Sequence, residues 1–226
     1  MTEAEWNDAQ RPFKLIRYLE RGPAPSERKL RLFCVACCKR VAEYISNPAY
    51  ADALECVEAV AEIEPDIHSI ERVRRVVDAA RSVGHRALEA EDSDGSQLHE
   101  FAAALSHVYG WTVYTTDCAE ACMSALCGHD DFDTGRGELM FQTDLLRDIF
   151  GNPFRPVAFA DEWRSSTAVA LAKQMYDSRD FSAMPILADA LQDAGCEDEQ
   201  VLNHCRDAKQ THVRGCWVVD LVLGKK

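Results

Sequence analysis

The chain reads as an all-α protein, a bundle of roughly eight to nine helices built around one long buried helix. Three observations carry that expectation. Apolar residues recur at i, i+3, i+4 and i+7 in nearly every segment, the spacing of an amphipathic helix. Glycine is scarce, 11 in 226 residues, and lies outside the periodic stretches. No alternating apolar–polar run has a second run to pair with, so no sheet is expected beyond a hairpin.

The elements follow in order. Ser26, after Pro25, is placed to cap a helix whose apolar face is Leu30, Phe33, Cys34, Cys37, Cys38, Val41, Tyr44 and Ile45. Asn47-Pro48 ends it and opens a second helix, over about 48–63, which stops at Glu64-Pro65. A third starts near Asp66 with Ile67, Ile70, Val73, Val77 and Ala80 on one side and arginines around it. Glu89–Gly95 reads as an acidic loop. The next helix, over about 97–127, is apolar on nearly every face except a stripe of Ser106, Asp117, Glu120 and Ser124, which marks it as the central one. Residues 129–137 read as an acidic, glycine-containing loop. An EF-hand is ruled out there, because position six counted from Asp131 is Arg136 and position twelve is Gln142.

A C-terminal region begins with a helix from Glu138 to Phe150, closed by Gly151 and Pro153. Asn152-Pro153-Phe154-Arg155-Pro156 is a proline-stiffened connector flanked by Phe150 and Phe154, two aromatic anchors expected to be buried. Helices follow over about 161–178, 183–194, 198–206 and 214–223. The expected organisation is an N-terminal bundle (1–128), the loop (129–137) and a C-terminal helical region (138–226) packed on the first.

Composition narrows the function. A net charge of −13 argues against nucleic acid and anionic membranes, whose binding draws on Lys and Arg. No run approaches the ~20 apolar residues of a membrane span. The acidic start Met1–Trp6 is unlike a secretion signal, so the expected compartment is the cytoplasm, where thiols stay reduced.

Ten cysteines are the main chemical feature. Cys34, Cys37 and Cys38 lie i, i+3, i+4 on one helix, and Cys118 and Cys122 lie i, i+4 on another. They read first as buried packing, since a free thiol behaves as a small hydrophobe. If the two helices face each other, Cys34, Cys38, Cys118 and Cys122 can converge on zinc or Cu(I). A second candidate set is Cys196, His204, His212 and Cys216, with Cys205 among them; His212-x3-Cys216 is an acceptable half-site, but no Cys-x2-Cys knuckle accompanies it. A cysteine-nucleophile enzyme is a third reading. His204 and Cys205 are adjacent, point about 100° apart on a helix, and cannot pair with each other. No phosphate-binding, nucleophile-elbow or zinc-protease motif is present.

Five strings carry a resemblance: Met1–Trp6, Arg28–Phe33 with Cys37-Cys38, Leu146–Pro156, Ile186–Leu191 and His212–Asp220. The chain resembles a group of soluble proteins that planctomycete bacteria carry in many copies and for which no activity is established. The resemblance covers most of the length and implies a bacterial cytosolic origin and, from the copy number, an adaptor role. The leading expectation is therefore a helical protein-interaction module without chemistry or cofactor, with Arg147, Asn152, Phe154 and Arg155 as its contact residues; Arg147 and Arg155, held near each other, are expected to pair with carboxylates of this chain or of a partner, this chain being the richer source. The alternative is a thiolate/histidine centre for zinc or copper.

Overall fold

The computed structural model describes residues 1–22, 26–44, 47–63, 66–90, 95–108, 114–127 and 132–225. Among them are twelve α-helices, one 3-10 turn (Asp161–Trp163) and no strand. The all-α expectation holds, with more helices than the eight or nine expected.

Two extra helices come from the N-terminus: α1 (Glu3–Asn7) and α2 (Pro12–Glu20). Pro12 sits at the first position of α2, where its missing N–H costs nothing. The third comes from a correction. The long central helix over 97–127 is two helices, α6 (Gly95–Ser106) and α7 (Thr115–Cys127). The helical ladder of α6 gives way to a turn at His107 and Val108, and the Tyr114 N–H donates to the carbonyl of His107. The sequence between carries Gly110, Thr112 and Val113, all weak helix formers. Apolar content had masked that weakness. Tyr114, expected on the buried face, is exposed, and Tyr109 and Trp111 lie outside the described residues.

A second correction concerns residues 129–137. Helix α8 runs Phe132–Phe150, so Gly135-Arg136-Gly137 belongs to a helix; 129–131 fall outside the described residues. The chain forms two compact units, Asp8–Thr143 and Met1–Asn7 with Asp144–Lys226. The division falls inside α8, and the first seven residues group with the C-terminal part.

The larger unit holds α2, α3 (Glu27–Ala42), α4 (Pro48–Ala61), α5 (Ile67–Glu89), α6, α7 and the first turns of α8. Ser26 Oγ caps α3 and Asn47 Oδ1 caps α4, while Asp66 and Ser69 cap α5 reciprocally. Helix α3 is the buried one: Leu32, Phe33, Cys34, Cys37, Cys38 and Val41 are nearly inaccessible, and it packs on α4, α6 and α7. Gly84 lets α5 and α6 approach closely. A Cβ there would meet Tyr50 Oη at 2.7 Å and the His99 backbone nitrogen at 3.0 Å. Tyr50 stacks on Phe101 and donates to the Leu98 carbonyl.

The smaller unit holds α1, the end of α8, α9 (Ser166–Ser178), α10 (Met184–Asp193), α11 (Glu199–Arg206) and α12 (Trp217–Leu223). Its core is Ala168, Ala172, Met175, Leu187, Leu191, Val201, Val218, Val219 and Val222. Helix α11 is capped by Asp198, whose carboxylate accepts the N–H groups of Gln200 and Val201. Helix α8 ends at Gly151, in the left-handed region at φ +65, as the glycine-then-proline pattern predicts. Trp217 packs against this glycine so closely that a Cβ would sit 3.1 Å from its indole.

Candidate metal centres

Within the smaller unit, three elements bring four side chains to one point. Asp148 lies in the last turn of α8, on the same buried face as Leu145 and Ile149. His204 projects from α11. His212 and Cys216 come from the loop between α11 and α12. Gly215, at φ +93, turns that loop back, and the Cys216 N–H closes on the Val213 carbonyl. His212 and Cys216 therefore face the same carboxylate. Asp148 anchors the loop, its Oδ2 accepting the Val213 N–H at 3.0 Å.

The geometry is tight. Asp148 Oδ1 lies 2.7 Å from His212 Nδ1 and 3.2 Å from His204 Nε2. Cys216 Sγ lies 3.2 Å from His204 Nε2 and 3.9 Å from His212 Nδ1. All four donor atoms fall within 4.8 Å of one another. A tetrahedral zinc site with its usual bond lengths has N–O and N–S edges of roughly 3.3–3.6 Å. The observed separations bracket those edges.

Both imidazoles can donate to Asp148 Oδ1, and Cys216 Sγ then stands against the same His204 nitrogen. A ring nitrogen either donates or accepts. His204 Nε2 faces Asp148 Oδ1 and Cys216 Sγ at the same 3.2 Å. One proton is directed at one of them or shared between both, whereas a single cation among the four atoms can be bonded by all of them. Asp148 and Cys216 are fully buried and the two imidazoles nearly so. Burial pushes the Asp148 carboxyl up, but hydrogen bonds from His204 and His212, and then their charges, outweigh it and hold it below the usual carboxylate range. Burial pushes the Cys216 thiol well up, and the Asp148 charge adds to this. A cation would reverse that preference.

The set overlaps the expected one in His204, His212 and Cys216, but Asp148 takes the place given to Cys196. Cys196 is buried in the apolar core, where its N–H bonds to the Leu191 carbonyl after the left-handed Gly195. Cys205 also faces the core, and burial raises its thiol to about 12. A thiol so reluctant to ionise is a poor nucleophile.

The larger unit holds a second cluster. Cys38 of α3 lies 4.0 Å from Cys118 and 3.8 Å from Cys122, sulfur to sulfur, and both partners come from α7. The convergence expected of two facing helices is present for these three. Cys34, one turn back on α3, touches Cys118 through its thiol and its carbonyl, the latter 4.0 Å from Cys118 Sγ, but is outside the set of mutually close sulfurs. Burial raises the Cys34, Cys37 and Cys122 thiols well above their ordinary value, and a hydrogen bond with Cys118 does the same for Cys38. Cys118 goes the other way. Hydrogen bonds from Cys122, Cys34 and Cys38 lower it, so these thiols titrate as one coupled group. The nine described cysteines are all free thiols.

The residues expected to face a partner are bonded within their own unit. Arg147 donates to the carbonyls of Trp6 and Asn7 and pairs with Asp144. Asn152 donates to Glu3 Oε1, and Arg155 pairs with the same carboxylate. Together they clasp α1. Phe150 and Phe154 are half-buried, not the deep anchors expected. The basic residues of α3 are likewise engaged: Arg28 with Glu62, Lys39 with Glu58, and Arg40 with Glu43 and Glu138. No helix among the described residues is long and apolar enough to cross a membrane.

No protein-family model, curated protein or solved structure matches this chain.

Proposed function

We propose that this chain is a zinc-class metalloprotein in which Asp148, His204, His212 and Cys216 hold one divalent ion that pins the C-terminal helices together. The observation that carries the reading is His204 Nε2 facing a carboxylate oxygen and a sulfur at the same 3.2 Å. Charge supports it as well. Two neutral imidazoles, a carboxylate and a thiolate cancel a divalent ion, so the buried centre is neutral overall. Borderline-soft zinc suits a mixed N, O and S set.

The role is structural. A catalytic zinc keeps one position open for water or substrate, while four protein donors fill a tetrahedron. The residues expected to meet a partner make their bonds to α1 instead, which leaves the metal reading with the stronger support.

The test is metal content after purification under reducing, chelator-free conditions. One equivalent of zinc is expected, replaceable by Co(II) with the spectrum of a tetrahedral site bearing one thiolate. The double variant H204A/C216S should lose that equivalent, and C118A should retain it. Absence of divalent metal from the wild type, or its full retention in the double variant, would defeat the reading.

A further inference from the structure

We infer that the larger unit carries a separate soft-metal site, in which Cys38, Cys118 and Cys122 bind a single Cu(I) ion through three sulfurs. It rests on different residues from the zinc centre and stands or falls without it.

The three sulfurs come from two helices packed face to face. Their spacing follows from helix geometry. Cys118 and Cys122 are i, i+4 and so share one face of α7. Cys38 meets both, at 4.0 and 3.8 Å. For metal–sulfur bonds of about 2.3 Å, a trigonal set has edges of roughly 4.0 Å and a tetrahedral set roughly 3.8 Å. The separations therefore suit an ion at or near the centre of the triangle with little movement of either helix.

Donor number and type choose the ion. All three atoms are thiol sulfurs, the ligands that select soft ions. Among the described residues three donors are mutually close, and Cys34 touches Cys118 alone. Zinc in a protein-only site takes four ligands. Cu(I), a closed-shell ion, is content with three. The three cysteines are fully buried, which shields the ion from water and from oxidation. Coordination replaces thiol protons, which leave to solvent. No electron is transferred, because the ion is supplied as Cu(I).

Cys37 provides a control within the same helix. It is as buried as Cys38 but lies outside the triad.

The experiment is an anaerobic titration of the reduced full chain with Cu(I) held by a chromophoric chelator. One equivalent should pass from chelator to protein, and X-ray absorption should show three sulfur neighbours and no nitrogen. C118A and C122A should each weaken the transfer by roughly a hundredfold or more, the scale of loss when a metal site loses a supporting group. C37A should bind as the wild type does, and circular dichroism should show the same helix content in all four. No transfer to the wild type would return the triad to plain core packing. Transfer that survives C118A, or a spectrum with nitrogen neighbours, would place copper elsewhere. Should the variants fold poorly, the wild-type absorption spectrum alone decides the matter.

Discussion

Asp148→Asn tests the zinc centre most sharply, because asparagine keeps the size of the side chain and an oxygen able to accept the Val213 N–H. What it removes is the anionic donor. In the wild type, a metal held at a free concentration a thousandfold above its dissociation constant adds about 4 kcal/mol to stability. The unit that carries the site spans 90 residues, Met1–Asn7 and Asp144–Lys226. For a unit of that size each kcal/mol moves the midpoint by roughly 4–8 °C. Chelation should therefore lower the wild-type transition by at least about 15 °C. In the variant the chelator should change little, because little metal is held. The chelated proteins should still differ, since the variant loses charge-assisted hydrogen bonds to His204 and His212, each worth about 1.5–3 kcal/mol. The sign with pH follows from the depressed Asp148 carboxyl. Its contribution in the chelated wild type is present above the unfolded value of about 3.9 and is lost as pH falls through the folded one. Calorimetry with and without chelator, on both proteins, supplies the four transitions. A wild-type midpoint indifferent to chelator, or a variant that keeps the full chelator-dependent shift, would refute the reasoning.

Three other outcomes follow from the packing. Metal-free Cys34, Cys37, Cys38, Cys118 and Cys122 should resist a thiol reagent until the protein unfolds, while the partly exposed Cys56 reacts first; fast native-state labelling of three or more of the five would contradict their burial. Glu138 has its carboxyl raised by burial despite Gln142 and Arg40, so its folded value lies above its unfolded one. Its stabilising share is full below about pH 4.3 and is lost as pH rises through the folded value. Urea melts at several pH values should show wild type losing ground to E138Q as pH climbs, and a gain would reverse the argument. Gly84→Ala improves helix propensity by about 1 kcal/mol, yet it drives a methyl against Tyr50 Oη and the His99 backbone. Overpacking of roughly 1–3 kcal/mol less that gain leaves a net loss of up to about 2 kcal/mol in denaturant melts, and a stabilised variant would mean that α5 and α6 can separate freely.

The sequence declares the helices through periodicity and caps, but local pattern has limited reach. Residues 97–127 look continuous because apolar residues surround the whole axis, and an apolar pattern says nothing about where the helical ladder stops, here after Ser106. His204, His212 and Cys216 stand out by residue type. Asp148 does not, being one of 38 acidic residues and distant in the chain from its partners. A signal did exist. Asp148 sits at i+3 from Leu145, on the apolar face of α8, and a carboxylate on such a face needs a partner. For Cys34, the i, i+4 relation to Cys38 gives the right face of α3, and its thiol meets Cys118, while Cys38 is the one that meets both thiols of α7.

The two clusters should also differ in what they do for stability, and the lengths of the helices around them say why. Helices α11 and α12 are eight and seven residues long, far below the length at which a helix persists alone. The proposed ion, tying both to the end of α8, would supply order their own hydrogen bonds cannot. The triad lies between α3 and α7, sixteen and thirteen residues long, with Leu30, Phe33, Val41, Phe101 and Leu105 buried in the same unit. That apolar contact holds the helices together with or without an ion. Removing zinc should therefore lower the melting temperature of the smaller unit steeply, and removing Cu(I) should shift that of the larger unit by no more than a few degrees. A centre whose loss leaves the fold standing is suited to taking up and giving back its metal. A large stability loss on copper removal, with full burial of the empty thiols unchanged, would assign the triad a structural role like that of the zinc site.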